Sequence, residues 1–90
     1  MAFIPENITA LGKIESATCD ITTGTRENLF VDTHTHPTTN YGTITEGTLY
    51  LTKNGEERAY KAGDWFCVLA NEEHAERFEE KTSVIVFWLK

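Results

Sequence analysis

The three histidines of the chain are the residues whose type and spacing first suggest chemistry. His34 and His36 are separated by one residue, and His74 follows 38 residues after His36. On an extended strand, residues two apart project from the same face. A third imidazole from a neighbouring strand can then converge with them on one ion, about 2.0–2.1 Å from each nitrogen. The spacing indicates a metal site, although two half-exposed strand histidines before Pro37 would give the same pattern.

Short strands are the elements that must position these histidines. Valine, isoleucine and threonine make 24 of the 90 residues, and branching at Cβ suits a pleated surface. We predict strands over residues 13–22, 29–36, 41–52, 57–61, 65–70 and 82–89, with His74 at the start of another. The last run is continuously apolar and is expected to be buried on both faces. Such short, evenly spaced strands are typical of an all-β sandwich or barrel.

Turn signals separate these strands. Asn54-Gly55 between two strand-like runs predicts a hairpin, because both turn residues must accept a positive φ. Gly47 and Gly63 are interpreted as turn glycines, since their spacing fits no phosphate-binding loop. Only the first dozen residues suggest a helical turn, with Ile4, Ile8 and Leu11 spaced for one face.

Composition excludes several classes of partner. Acidic residues outnumber basic ones 14 to 8, which gives a net charge of −6. No basic stripe exists that could bind nucleic acid or an anionic membrane. The longest apolar run, 84–89, is far below the roughly 20 residues of a membrane helix, and the N-terminal residues lack the pattern of a signal peptide. Two cysteines, Cys19 and Cys67, are too few for a disulfide framework and are expected to be buried. We therefore expect a cytoplasmic protein with one domain over residues 1–90.

Two segments that contain the histidines resemble the two motifs of the cupin family. The first, 34–47, reads HTHPTTNYGTITEG. Its two histidines and Gly47 are in register with the family pattern, while Asn40 stands where the family usually has glutamate. The second, 63–78, reads GDWFCVLANEEHAERF. Gly63 and His74 match in spacing.

The second motif departs from the family at three positions: Leu69, Asn71 and Phe78 replace its proline, glycine and asparagine. The resemblance implies a small double-stranded β-helix, a jelly-roll-like cupin barrel. It also implies a divalent transition metal, whether iron, manganese, nickel or zinc, at His34, His36 and His74. Oxygenases, isomerases and lyases of small molecules occur in the family, as do cupins that only bind sugars or act as sensory domains.

Asn40 leaves two interpretations open. An amide oxygen can coordinate, but it is neutral. Asn40 is therefore either a soft fourth contact to the ion or a residue that only lines the pocket. Among nearby acids, Glu46 precedes a turn glycine and is expected to be exposed. Charge runs in loops are usually solvated, so the acids around His74 are also expected to face solvent: Glu72, Glu73 and Glu76.

Two functional hypotheses follow. Three neutral imidazoles leave the charge of a divalent ion uncompensated, which favours a small anionic or chelating ligand at open coordination positions. The first hypothesis is a metal-dependent small-molecule enzyme; the alternative is a non-catalytic metal- or ligand-binding module. Three tyrosines could act as a base only if they face the pocket: Tyr41, Tyr50 and Tyr60.

The aromatic residues and the thin core of so short a chain suggest self-association. Five aromatics are expected in the core or at a subunit contact: Trp65, Phe66, Phe78, Phe87 and Trp88. An apolar run at 84–89, with Trp88 close to the terminus, favours pairing through an exposed sheet edge or patch. Because two-fold pairing is the commonest solution, we expect a homodimer.

Overall fold

The computed structural model describes residues 13–14 and 17–90, and these residues form strands and connections without a helix. The strands are β1 (Lys13–Ile14), β2 (Cys19–Arg26), β3 (Leu29–His34), β4 (Asn40–Glu46), β5 (Thr48–Lys53), β6 (Glu56–Lys61), β7 (Trp65–Val68), β8 (His74–Phe78) and β9 (Thr82–Leu89). The predicted all-β class is confirmed. The helical turn predicted at Ile4, Ile8 and Leu11 lies outside the described residues.

Two antiparallel sheets form the molecule. One has the strand order β1-β2-β9-β4-β7 and the other β3-β8-β5-β6. Alternate residues of both sheets meet in the core, as expected for strands with one buried face. The buried cluster consists of Ile44, Leu49, Leu51, Phe66, Val68 and Phe78. This arrangement fits the small double-stranded β-helix that the motif resemblance implied.

Glycine positions explain where strand boundaries differ from the prediction. The run 41–52 is two strands, because Gly47 has φ 81° and separates β4 from β5. A Cβ at Gly47 would lie 2.3 Å from the carbonyl oxygen of Lys81, so only glycine fits this crossing. The strand predicted over residues 13–22 is instead found as β1 and β2. β2 continues through Gly24 to Arg26, because it pairs with β9 along its whole length.

The last strand is not buried on both faces as predicted. β9 lies in the middle of the five-stranded sheet, between β2 and β4. Ile85 is buried, but Val84, Val86 and Trp88 are only half-buried and Leu89 is exposed. The inward residues of β9 line a cavity instead of filling a core, which is why a continuous apolar run is less buried here than its composition suggests.

The hairpin prediction is confirmed, while the cysteine prediction is only partly met. Asn54 and Gly55 have φ values of 53° and 76° and join β5 to β6. Cys19 and Cys67 are half-buried on different strands and form no disulfide with each other. The described residues contain no helix long and apolar enough to cross a membrane.

Candidate metal centre

Two adjacent strands of the four-stranded sheet bring His34 and His74 together. His34 ends β3, His74 begins β8, and the two residues are paired across the strands. The register shifts between Val31 and His34, an irregularity of the kind that re-aims side chains next to functional sites. His36 lies just beyond β3 rather than on it, so its approach to His34 depends on the chain's course after the strand.

The three imidazoles form one cluster. Ring centroids are 4.2 Å apart for His34 and His74, 4.8 Å for His34 and His36, and 5.0 Å for His36 and His74. One ring nitrogen from each histidine lies within 4.8 Å of the other two. The structure therefore brings together the three residues that the sequence singled out.

Hydrogen bonds between two loops hold this cluster in place. The backbone N–H of Asn71 donates to the carbonyl oxygen of His36 at 2.7 Å, and the backbone N–H of Ala70 donates to Thr39 Oγ1 at 3.1 Å. Asn71 has φ 62°, a conformation that asparagine tolerates better than most residues. This explains how Asn71 can occupy the position where the second motif usually has glycine.

Main-chain carbonyls fix which nitrogen of two histidines faces the cluster. His34 Nδ1 lies 2.7 Å from the carbonyl oxygen of Asp32, and His74 Nδ1 lies 3.0 Å from that of Glu72. A carbonyl oxygen can only accept, so each Nδ1 carries a hydrogen and donates it. In the neutral rings, the lone pair is then on Nε2. Such a hydrogen bond on the remote nitrogen is the usual support of a metal-binding histidine.

His74 provides the clearest sign that something binds here. Its side chain is 1% exposed, and its buried Nε2 has no hydrogen-bond partner among the described residues. Buried polar atoms are nearly always paired, and an orphaned one needs an explanation. A divalent cation bound by this lone pair and by the two neighbouring imidazoles would supply that partner. The donor set, three neutral imidazoles, fits a transition metal.

His36 is held by an aromatic neighbour. The indole of Trp88 meets its ring edge-on, with centroids 4.9 Å apart and planes at 90°. Trp88 is fixed in turn by a 2.9 Å hydrogen bond from its Nε1 to Thr22 Oγ1. Burial, followed by the nearby charges of His74 and His34, lowers the pKa of His36 below 6.5. The neutral, ligating form is therefore favoured.

A cavity of about 260 Å³ opens next to the histidines, between the two sheets. Asn40, only 3% exposed, lines it together with His34 and His36. The remaining wall is largely apolar and includes Val31, Leu49, Phe66, Phe78, Val84 and Val86. A cavity of this size accommodates a small molecule rather than a polymer.

The acidic residues near the histidines differ in where they point. Glu46 is exposed and accepts a hydrogen bond from Ser83, as expected for a residue outside the site. Glu72 accepts from the amide of Leu69 and lies 3.5 Å from Lys53 Nζ, while Glu73 is exposed. Glu76, expected to be solvated, instead lines the cavity.

None of the three tyrosines lines the cavity. Tyr41 is 43% exposed on the outer face of its sheet, and the ring of Tyr50 packs beneath the guanidinium of Arg77. Tyr60 packs against the core beside Phe66. The tyrosines are therefore not bases of this site.

Besides Glu76, Trp88 and Arg26 are cavity residues that the sequence did not indicate. Trp88 was expected in the core or at a subunit contact, yet it faces His36. Its pairing with Asn40 across β9 and β4 is the signal that places it there, and this pairing cannot be read from the sequence. Arg26 also lines the cavity, because its guanidinium folds back over Gly24, with Nη1 2.9 Å from where a Cβ would be.

Comparison with known proteins supports the fold. Residues 19–90 match the family model described as a cupin domain. A cupin-2 domain protein from Shewanella frigidimarina superposes with a TM-score of 0.77 at 18% identity, covering 86% of this chain and 76% of its own. A Ralstonia eutropha protein, provisionally named a mannose-6-phosphate isomerase, gives a TM-score of 0.77 at 15% identity, with 86% and 79% covered.

A DMSP lyase from Ruegeria pomeroyi has a TM-score of 0.75 at 20% identity, and the match covers 83% of this chain but only 40% of the lyase. At these identities the structural likeness shows the fold alone. No curated protein matches the chain. The family model, however, covers most of the sequence and includes all three histidines. The chain therefore belongs to the cupin family.

Proposed function

We propose that this cupin domain is a metal-dependent enzyme acting on a small molecule, with a divalent ion bound by His34, His36 and His74. The observation that carries the proposal is the buried, unpartnered Nε2 of His74 beside two other imidazoles. Iron, manganese, nickel and zinc all suit imidazole ligands. Asn40 is either a fourth contact or part of the cavity wall.

The residues around the cluster have separable roles in this proposal. His34 and His74 present preoriented lone pairs, because their remote nitrogens are held by the main chain. The apolar wall excludes water from the bound molecule and strengthens polar interactions within the cavity. A divalent ion held by His34, His36 and His74 would supply Lewis-acid polarisation of substrate oxygens or activation of dioxygen.

A small anionic ligand fits the charges of this cavity best. Three neutral imidazoles do not balance a divalent ion, and Arg26 is the one Lys or Arg side chain among the described residues that line the cavity. No carboxylate lies within ion-pair distance of Arg26 in the described part of the chain; its guanidinium donates to the Thr25 carbonyl at 3.1 Å. The guanidinium is thus available to pair with a carboxylate or phosphate group.

Metal content and turnover test the proposal together. Protein purified without chelator or an affinity-tag metal is analysed for elements. It is then loaded with iron(II), manganese, nickel or zinc in turn and screened for dioxygen consumption and for turnover of small acids and sugars. We expect stoichiometric metal and turnover that His74→Ala abolishes. Thr35→Ala, an exposed position between the other two histidines, should retain both. Substoichiometric metal that is unchanged in His34→Ala/His36→Ala would contradict the site.

A non-catalytic binding module is the second candidate. It is favoured by Asn40, which contributes no carboxylate, and by the tyrosines, which lie away from the cavity. In that case, ligands would raise the melting temperature with every metal and no turnover would occur. The cytoplasmic location predicted from the sequence stays a prediction.

A further inference from the structure

Glu76 is the carboxylate that the fold places beside His74, in the wall of the cavity next to the histidine cluster. It lies two residues after His74 on β8, so both side chains project from the same face of the strand. Glu76 pairs with Val31 on one side and Leu51 on the other. It therefore lies on a central strand of its sheet, facing the cavity that His34 and His36 also line.

The separation of Glu76 and His74 fits two ligands of one ion. Glu76 Oε1 lies 3.7 Å from His74 Nε2, which is too long for a hydrogen bond. Because His74 donates from Nδ1, the lone pair of its neutral ring faces an anionic oxygen, and both atoms are acceptors. Two ligands bound tetrahedrally at about 2.05 Å are separated by about 3.3 Å. A cation between these two acceptors would satisfy both.

Among the described residues, Glu76 has no competing partner of the kind that Glu72 has. Glu72 is engaged by the Leu69 amide and by Lys53, and Glu73 is exposed. In the described part of the chain, His74 Nε2 is the one basic nitrogen within 4 Å of the Glu76 carboxylate, and with a neutral ring this contact is not an ion pair. The Glu76 side chain is 26% exposed. Only the Glu72 side chain, at 23%, is less exposed among the three acids around His74, and Glu72 is already engaged.

We propose that Glu76 is the fourth protein ligand of the metal ion. This assignment rests on the three-histidine site proposed above. It gives the ion one negative ligand from β8, in place of the neutral amide of Asn40, which then lines the cavity. A divalent ion with three imidazoles and one carboxylate keeps a net charge of +1, and Arg26 adds another. The cavity therefore still favours an anionic ligand.

Metal affinity of the metal-free protein, measured with zinc and cobalt(II) by calorimetry or competition with a chromophoric chelator, tests this assignment. Glu76→Gln keeps the shape of the side chain, and Glu73→Gln removes the same charge from an exposed neighbour. Loss of even an outer-shell partner costs about 10- to 100-fold in affinity, so Glu76→Gln should weaken binding by at least about 10-fold. Glu73→Gln should bind like the unmodified protein.

Equal affinities of Glu76→Gln and Glu73→Gln would overturn the Glu76 assignment while leaving the histidine site intact. Failure of the unmodified protein to bind either metal would overturn both proposals. Circular dichroism of each metal-free variant checks that it folds. The visible spectrum of bound cobalt(II) provides a direct readout: it should change in Glu76→Gln and stay the same in Glu73→Gln. An unchanged spectrum in Glu76→Gln would again contradict ligation.

A double-mutant cycle with Asn40→Glu separates ligation from a general charge effect. If Glu76 occupies the carboxylate position, Asn40→Glu should increase affinity more in the Glu76→Gln background than in the unmodified protein, because only there is the position vacant. Equal gains in the two backgrounds would mean that Glu76 acts only as a remote charge, and this would overturn the proposal.

Discussion

At the scale of single residues, main-chain hydrogen bonds preorganise the site. The Nδ1–H groups of His34 and His74 donate to the carbonyls of Asp32 and Glu72. Both acceptors are two residues before their histidine, so each ring is restrained by its own local backbone. The rings would therefore need little reorganisation to bind a metal, as expected of a preorganised site.

The lowered pKa of His36 predicts how acid affects the metal-free protein. Burial and the neighbouring imidazoles disfavour its charged form in the folded state. The unfolded chain therefore binds more protons just below pH 6.5, and the free energy of unfolding must fall as the pH falls through that window. Above about pH 6.5, His36 is neutral in both states and no longer lowers the free energy of unfolding. Urea unfolding of chelator-treated protein at about pH 7.5 and 5.5 measures the loss.

His36→Gln removes the titrating group and should lose less stability between these two pH values. Thr35→Ala keeps His36 and should lose as much as the unmodified protein. If the loss in His36→Gln equalled that in the unmodified protein, the titration of His36 would not be its cause.

The sequence could predict these histidines but not every neighbour. Their number, their spacing and the motif around them pointed to His34, His36 and His74. Glu76 was expected to be solvated because it belongs to a charged run, yet alternation from His74 along a strand directs it inward. The position of Trp88 beside His36 depends on the pairing of β9 with β4, which are distant in the sequence. A single sequence carries no signal for that pairing.

At the scale of elements, the pairing of β4 with β7 places the Phe66 ring directly over Gly42. A Cβ at this position would lie 2.1 Å from the ring of Phe66, which is 8% exposed, packs in the core and lines the cavity. We expect Gly42→Ala to displace the ring and to lower the free energy of unfolding by about 1–3 kcal/mol, the usual range for overpacking. Denaturant unfolding measures this change.

Combining Gly42→Ala with Phe66→Leu should recover part of the loss, because the smaller side chain leaves room for the methyl group. Strictly additive losses in the double variant would show that Gly42 acts through backbone conformation and not through the contact with Phe66.

Strand boundaries show why elements are harder to predict than residues. Gly47 and Gly24 are both glycines in strand-like runs, but only Gly47 separates two strands. Gly47 has a positive φ and lies against the main chain of Lys81. Gly24 instead provides space for the guanidinium of Arg26. The two roles depend on what packs over each glycine, and that is decided by the tertiary structure.

At the scale of the whole molecule, the two sheets divide the aromatic residues between cavity and surface. Trp88, expected in the core or at a subunit contact, faces His36 from the cavity wall. The outer face of the five-stranded sheet instead exposes Tyr41 and Trp65, at 43% and 50%. The Trp65 ring packs beside Phe87 at 5.8 Å between centroids. Exposed aromatic groups of this kind are typical of association surfaces.

The homodimer predicted from the sequence is therefore expected to form through this outer face. A stable interface buries about 800 Å² on each partner, and a charge at its centre would be left without water or a counter-ion. Trp65→Arg should convert the dimer to a monomer in sedimentation experiments at micromolar concentration. Phe30→Arg, which changes an aromatic residue 62% exposed on the other sheet, should leave the dimer intact. A monomeric unmodified protein, or dissociation by Phe30→Arg alone, would contradict this assembly.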